Sequence, residues 1–160
     1  MQDSLIKMDP KNATKYKEKT TTYLNKLTDL EESLQSTIQT LPTKNRILIT
    51  AHDAFNYFGK AFGFTVKGLQ GISTKAEPSI KDIQSLATYI QKNKIKSIFI
   101  ESSVTKRTIQ AVQEATKAQN WTVSIGGELF SDALGSANTP EGTYSGMLKH
   151  NIETIVHNLK

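Results

Sequence analysis

Apolar positions along this 160-residue chain fall into two regimes. In the first, Tyr16, Tyr23, Leu27, Leu30, Leu34, Ile38 and Leu41 recur in steps of three, four and seven, with Lys, Glu, Thr, Asp and Gln between them. That spacing predicts one helix over 10–41. Asp9-Pro10 suits its start, because Asp9 can cap exposed backbone N–H groups and Pro10 fits the first helical position; Pro42 ends it. At ~1.5 Å per residue this is a rod of roughly 45 Å. The stripe suits a coiled-coil seam or a long helix that lies along a domain and joins two bodies. The second is the plainer expectation, with residues 1–9 as a lead-in.

The second regime alternates. Ile47, Leu48 and Ile49 form the short apolar run of a strand covered on both faces, predicted over 46–51. Apolar residues at 54, 55, 58, 61 and 62 then read as helix 53–62, stopped by Gly63. Strand 64–69, a loop through Gly71-Ile72-Ser73, and helix 79–92 follow, with Ser79 and Asp82 spaced as a capping pair. Strand 96–100, helix 106–118, strand 121–125, an irregular segment 126–142 with four glycines and Pro140, and helix 143–158 complete the series. The order predicts an α/β fold: a long N-terminal helix, then over 46–160 a four-stranded parallel sheet flanked by helices.

Composition narrows the classes. With 37% apolar and 22% charged residues the chain is ordinary for a folded domain with a real core. No apolar run approaches the ~18 residues of a membrane span, and the N-terminus has no cationic, apolar signal-peptide pattern. Cysteine is absent, which excludes disulfides, thiolate zinc sites and a cysteine nucleophile. The net charge of +5 is spread in small groups such as Lys15-Lys17-Lys19, not in a stripe with interleaved aromatics, so nucleic acid is not an expected partner.

In open parallel α/β sheets, ligands bind beyond the strand carboxyl ends. His52-Asp53 follows the first predicted strand, Glu101-Ser102-Ser103 the third, and Gly126-Gly127-Glu128-Leu129-Phe130-Ser131-Asp132 the fourth. Imidazole plus carboxylate without thiolate suits zinc, manganese or ferrous iron. Each residue also has a plainer role. His52 can be a polar helix-entry residue, Asp53 an N-cap and Asp132 a turn residue. Glu101 suits orienting His52, or accepting N–H groups of the next helix, better than direct ligation. His150 and His157, seven apart on the last helix, read as surface or packing residues. Gly126-Gly127 is no dinucleotide fingerprint, because it follows the last strand, and Ser102-Ser103 lacks the glycines of a nucleophile elbow. A flavodoxin-like or hydrolase-like enzyme, or a surface adhesin or interaction module, stays open on these residues alone.

Five strings in order are more specific. Thr50-Ala51-His52-Asp53-Ala54-Phe55-Asn56-Tyr57-Phe58, Gly71-Ile72-Ser73-Thr74-Lys75-Ala76-Glu77-Pro78-Ser79, Ile100-Glu101-Ser102-Ser103-Val104, Gly126 to Asp132, and His150-Asn151-Ile152-Glu153-Thr154-Ile155-Val156 run through the chain at compatible spacing. They resemble the C-terminal lobe of the metal-binding receptors of zinc/manganese ABC importers (the cluster A-I group), and most of all the spirochaete-type zinc/manganese receptor.

The resemblance implies two α/β lobes joined by a long rigid helix, with metal held between them by four side chains. His52 corresponds to the ligand that opens the second lobe and Asp132 to the last ligand. Glu101 and Ser102 fall on the Glu-Ser-Ser motif beside the site, in a supporting role. The other two ligands are histidines that precede this segment, so the expectation is a shortened piece supplying two of four ligands. It implies a binding protein without turnover, periplasmic or lipid-anchored at the cell surface when whole. Its partners are a membrane permease and its own N-terminal lobe. Its cargo is zinc or manganese, with iron also compatible. Isolated, the piece is expected to bind metal weakly, to lose it as His52 protonates, and to be open to dimerisation through residues 10–41.

Overall fold

Asp9 and Pro10 divide the N-terminal part of the chain. In the computed structural model, which describes residues 1–71 and 77–160, helix α1 (Gln2–Met8) occupies what the sequence pattern treated as a lead-in. A single 3₁₀ turn, Pro10–Asn12, follows, and the long helix α2 runs over Ala13–Gln39. Asp9 makes no side-chain cap. Its carboxylate instead accepts from Asn12 Nδ2 at 2.7 Å and Tyr16 Oη at 3.0 Å. Those two bonds, Asn12 first, hold it below the usual carboxylate range. Local side-chain bonding of this kind competes with capping. By contacts the chain divides into Met1–Ser36 and Thr37–Lys160.

The second unit carries the alternating elements. They are β1 (Ile47–His52), α3 (Asn56–Phe62), β2 (Thr65–Gln70), α4 (Ile80–Lys92), β3 (Ser97–Glu101), α5 (Lys106–Ala118), β4 (Ser124–Leu129) and α6 (Tyr144–Leu159). The expected strand-and-helix order is present, with parallel strands flanked by helices. The Ser79–Asp82 capping box at α4 is formed as the spacing suggests. Most of the loop expected at 71–73 and of the motif 71–79 lies outside the described residues.

The backbone ladders differ from one continuous four-stranded sheet. β1 pairs in parallel with β2, and β3 with β4, as two two-stranded ladders. β1 lies against β3. At the carboxyl end of that seam a side chain replaces the ladder: the His52 backbone N–H donates to Glu101 Oε1 at 2.8 Å.

Strand alternation sorts the two faces. Ile49, Ala51, Leu69, Ile98 and Ile100 pack with Leu86 and Ile90 of α4 and Ile109 and Val112 of α5. Their alternates, Leu48, Thr50 and His52 on β1 and Ser97, Phe99 and Glu101 on β3, are all buried. They lie on the α6 side: a Cβ added at Gly126 would meet Phe99 Cε1 at 2.8 Å and Asn158 Cβ at 2.9 Å.

β4 is the largest departure from the sequence pattern, which placed a strand at 121–125 and a loop from 126. The strand begins three residues later. Trp121 packs at the edge of the core, and its Nε1–H donates to Ile95 O at 2.8 Å. Gly126 and Gly127 are strand residues. The register passes from Ile98↔Ile125 to Ile100↔Glu128, so two residues advance on β3 against three on β4. Gly127, at φ +136°, supplies the extra residue of this bulge.

Two outcomes test this account. Gly126→Val should cost about 1–3 kcal/mol through overpacking against Phe99 and α6, seen as a lower urea midpoint at unchanged slope. The Asp82 carboxyl is held below its ordinary range by the Ser79 hydroxyl first and the Ser79 N–H second. A lowered carboxylate contributes stability that is present above its unfolded-state value and is lost as pH falls through its folded value. Ser79→Ala should therefore move Asp82 up in an NMR titration and shrink that acid-sensitive contribution.

Candidate metal centre

His52 is the last residue of β1 and is 2% exposed. Three of its groups are engaged. Its N–H donates to Glu101 Oε1, its carbonyl accepts from Thr50 Oγ1 at 2.9 Å, and its ring Nδ1 lies 2.7 Å from Glu101 Oε2. In that last contact neither atom completes a hydrogen bond. Glu101, the last residue of β3 and 1% exposed, thus spends both oxygens on one histidine. The expectation that Glu101 orients His52 describes this geometry; it does not serve the N–H groups of α5.

The other ring nitrogen points to the rim. His52 Nε2 lies 3.2 Å from Asp132 Oδ2, and the Asp132 side chain is 59% exposed. The histidine is therefore gripped from inside and reached from outside through the aspartate. The spacing suits a shared ion. Tetrahedral zinc, at ~2.0 Å from nitrogen and ~2.0–2.2 Å from oxygen, separates two donors by about 3.3 Å. A cation can seat between Nε2 and Oδ2 with little movement of either. Among the described residues no group of three or more His, Asp or Glu could hold a metal ion. Among the described residues, His52 Nε2 and Asp132 Oδ2 are the donor pair that meets at this rim.

The remaining sequence candidates divide. Asp53 is not the N-cap of the following helix: that position falls to Phe55, and no side chain caps it. The cause lies in β2. A Cβ at Gly68 would fall 2.7 Å from His52 C and 2.8 Å from Asp53 N. The backbone just after the histidine packs flat on Gly68, and the helix begins only once the chain has cleared it. Ser102 is exposed, and its backbone N–H donates to Leu129 O at 3.0 Å. Its neighbour Ser103 makes the side-chain link, Oγ to Ser131 Oγ at 2.7 Å, beside Asp132. His150 meets Glu128 O through Nε2 at 3.1 Å and packs on the Phe130 ring, a structural role as expected; His157 is exposed.

Sequence reasoning missed Gly68, Ser103 and Asn151. Asn151 is 2% exposed and brackets the Phe130 backbone, with Oδ1 accepting from its N–H at 2.9 Å and Nδ2 donating to its carbonyl at 2.7 Å. A signal was present: Asn151 stands four residues from both Met147 and Ile155, on the apolar stripe of the last helix. A polar residue there needs a buried partner.

Comparison with known proteins supplies independent findings. Residues 1–158 match the family model described as zinc-uptake complex component A, periplasmic. The chain is 47% identical over 154 residues to the zinc-binding protein TroA of Treponema pallidum, covering 96% of this chain and 50% of that protein. It is 45% identical over 151 residues to the manganese-binding lipoprotein MntA of Bacillus subtilis, covering 94% and 49%. Among solved structures, the periplasmic zinc-binding protein TroA from Treponema pallidum superposes with TM-score 0.95 at 47% identity, over 99% of this chain and 57% of that one. A Mn-bound periplasmic metal-binding protein from Candidatus Liberibacter asiaticus gives TM-score 0.87 at 27% identity, over 99% and 57%. The chain spans about half the length of the relatives it matches.

The grip of Glu101 on His52 has a measurable energy. Glu101→Ala should lower stability in urea by about 1–3 kcal/mol, because the buried His52 N–H loses its acceptor. Glu101→Gln, which keeps a carbonyl oxygen for the N–H, should lose less. Equal losses in the two variants would show that the N–H bond is not what matters.

Proposed function

Because the chain belongs to the family of periplasmic zinc-uptake complex component A, we propose that it is one lobe of a divalent-metal receptor that captures zinc or manganese and hands it to the permease of an ABC importer. The observation that carries this reading is the pair His52 Nε2 and Asp132 Oδ2, 3.2 Å apart at the strand carboxyl ends with Glu101 behind the imidazole. Metal is the cargo, and the lobe acts by binding, without turnover. Glu101 positions the imidazole so that Nε2 faces the ion, and its negative charge makes the ring a better donor. Asp132 adds a charged oxygen and partly neutralises the cation.

Two donors leave a divalent ion open on its other side. The remaining ligands come from a second lobe, in keeping with relatives twice as long. A site split between lobes has a physical use: the ion is held tightly only while both lobes close on it, and opening releases it to the permease. Imidazole with carboxylate accepts both zinc and manganese, and relatives are named for each. Localisation in the periplasm, or at the cell surface through a lipid anchor, follows the same relatives. The exposed Tyr23 and Leu24 on α2 offer apolar surface to the second lobe, or to a second copy when that lobe is missing.

The test is metal binding by the two-lobed receptor and by this lobe alone. The receptor should take up zinc or manganese stoichiometrically, and His52→Ala and Asp132→Ala should each weaken its affinity by tenfold or more. The lobe alone should bind weakly, more so as pH falls, because protons compete with the ion for Nε2. Submicromolar zinc affinity in the isolated lobe would overturn the split site. Unchanged binding in either variant would overturn the assignment of that ligand.

A further inference from the structure

Asp132 is an exposed residue in a bend three positions past the end of β4, yet its carboxylate reaches a buried histidine. Aspartate has one methylene between backbone and carboxyl group, so its reach is set by where the backbone runs. Metal–donor distances tolerate only about ±0.2 Å. Something must hold residues 130–132 in place, and the ladder with β3 does not, because β4 ends at Leu129.

The hold comes from α6. Asn151 meets the Phe130 N–H and carbonyl with both ends of its amide, as the next strand of a sheet would. One turn back on the helix, Met147 Sδ accepts the second Asn151 N–H at 3.4 Å, so the amide has no idle group. His150 takes the Glu128 carbonyl two residues earlier and packs edge-on against the Phe130 ring, with centroids 5.1 Å apart. The helix carrying these residues is anchored by Ile152, Ile155 and Val156 in the core. From the other side, Ser131 is tied to Ser103.

We infer that Asn151 is a positioning residue for metal capture: its amide clamps Phe130 and so sets the reach of Asp132 toward the ion shared with His52. This rests on the receptor reading above and adds a residue that touches neither metal nor ligand side chain. An asparagine suits the task because its amide can accept from an N–H and donate to a carbonyl of the same residue at once. Aspartate would keep the first bond and set its carboxylate against the Phe130 carbonyl.

The test is a double-mutant cycle read as zinc affinity in the two-lobed receptor. Asn151→Ala should weaken zinc binding tenfold or more when Asp132 is present, and less than twofold in an Asp132→Ala background, where nothing is left to position. Asn151→Asp, which keeps the acceptor and the volume, should show the same pattern and guards against a variant that fails to fold. Equal weakening in both backgrounds would make Asn151 merely structural and overturn the inference, as would no weakening at all. The receptor reading fails separately and visibly, if unsubstituted protein and Asp132→Ala bind zinc alike before Asn151 is touched.

Discussion

A single buried carboxylate joins the two halves of the sheet and aims the imidazole at the rim. Glu101 ends β3 and His52 ends β1, and the two strands share no backbone ladder. One oxygen of Glu101 closes that seam by taking the His52 N–H, and the other faces Nδ1. Burying a carboxyl group is costly, and here one oxygen is satisfied by the His52 N–H while the other lies 2.7 Å from Nδ1. The same group that completes the fold therefore fixes which ring nitrogen is left for a ligand. Stability and site geometry meet in one side chain.

Around this anchor the structure makes space by leaving side chains out. Gly68 lets the chain after His52 pass flat over β2, and Gly126-Gly127 let β4 bulge beneath α6. The bulge shifts the strand by one residue against β3. Asp132, three residues past the strand end, depends on that shift, since in a strand a one-residue slip sends every following side chain to the opposite face. The amide of Asn151 then fixes the outgoing segment. The sheet thus ends in a buried inner half, His52 with Glu101, and an outer half whose place is borrowed from α6.

This asymmetry fits capture and release better than permanent storage. A structural zinc site closes all four positions with protein ligands. If His52 and Asp132 are its two donors, as proposed, this lobe would hold a cation loosely and strong binding would need donors from elsewhere. On the receptor reading proposed above, closure of two lobes would switch the affinity.

Much of this was legible in the residues. The alternation of apolar runs with helical stretches determined the order of strands and helices, because burial on one face imposes a period of two or 3.6 that any sequence must obey. The Ser79–Asp82 box, the helices over 79–92 and 106–118, and the arrival of His52, Glu101 and Asp132 at one edge follow from local patterns and from parallel topology. Tertiary contact alone decided the rest. β4 moved three residues because Trp121 found the Ile95 carbonyl and two glycines could bulge where the pattern implied a loop. Asp53 is not a cap: its backbone lies against Gly68, fifteen residues away, and the helix begins three residues later. The partners of Asn151 and Ser103 lie on other elements, and no local period encodes them. Hydrophobic burial is written into the sequence position by position, whereas a hydrogen bond needs two groups within about 3 Å of each other, and only the folded chain sets that distance.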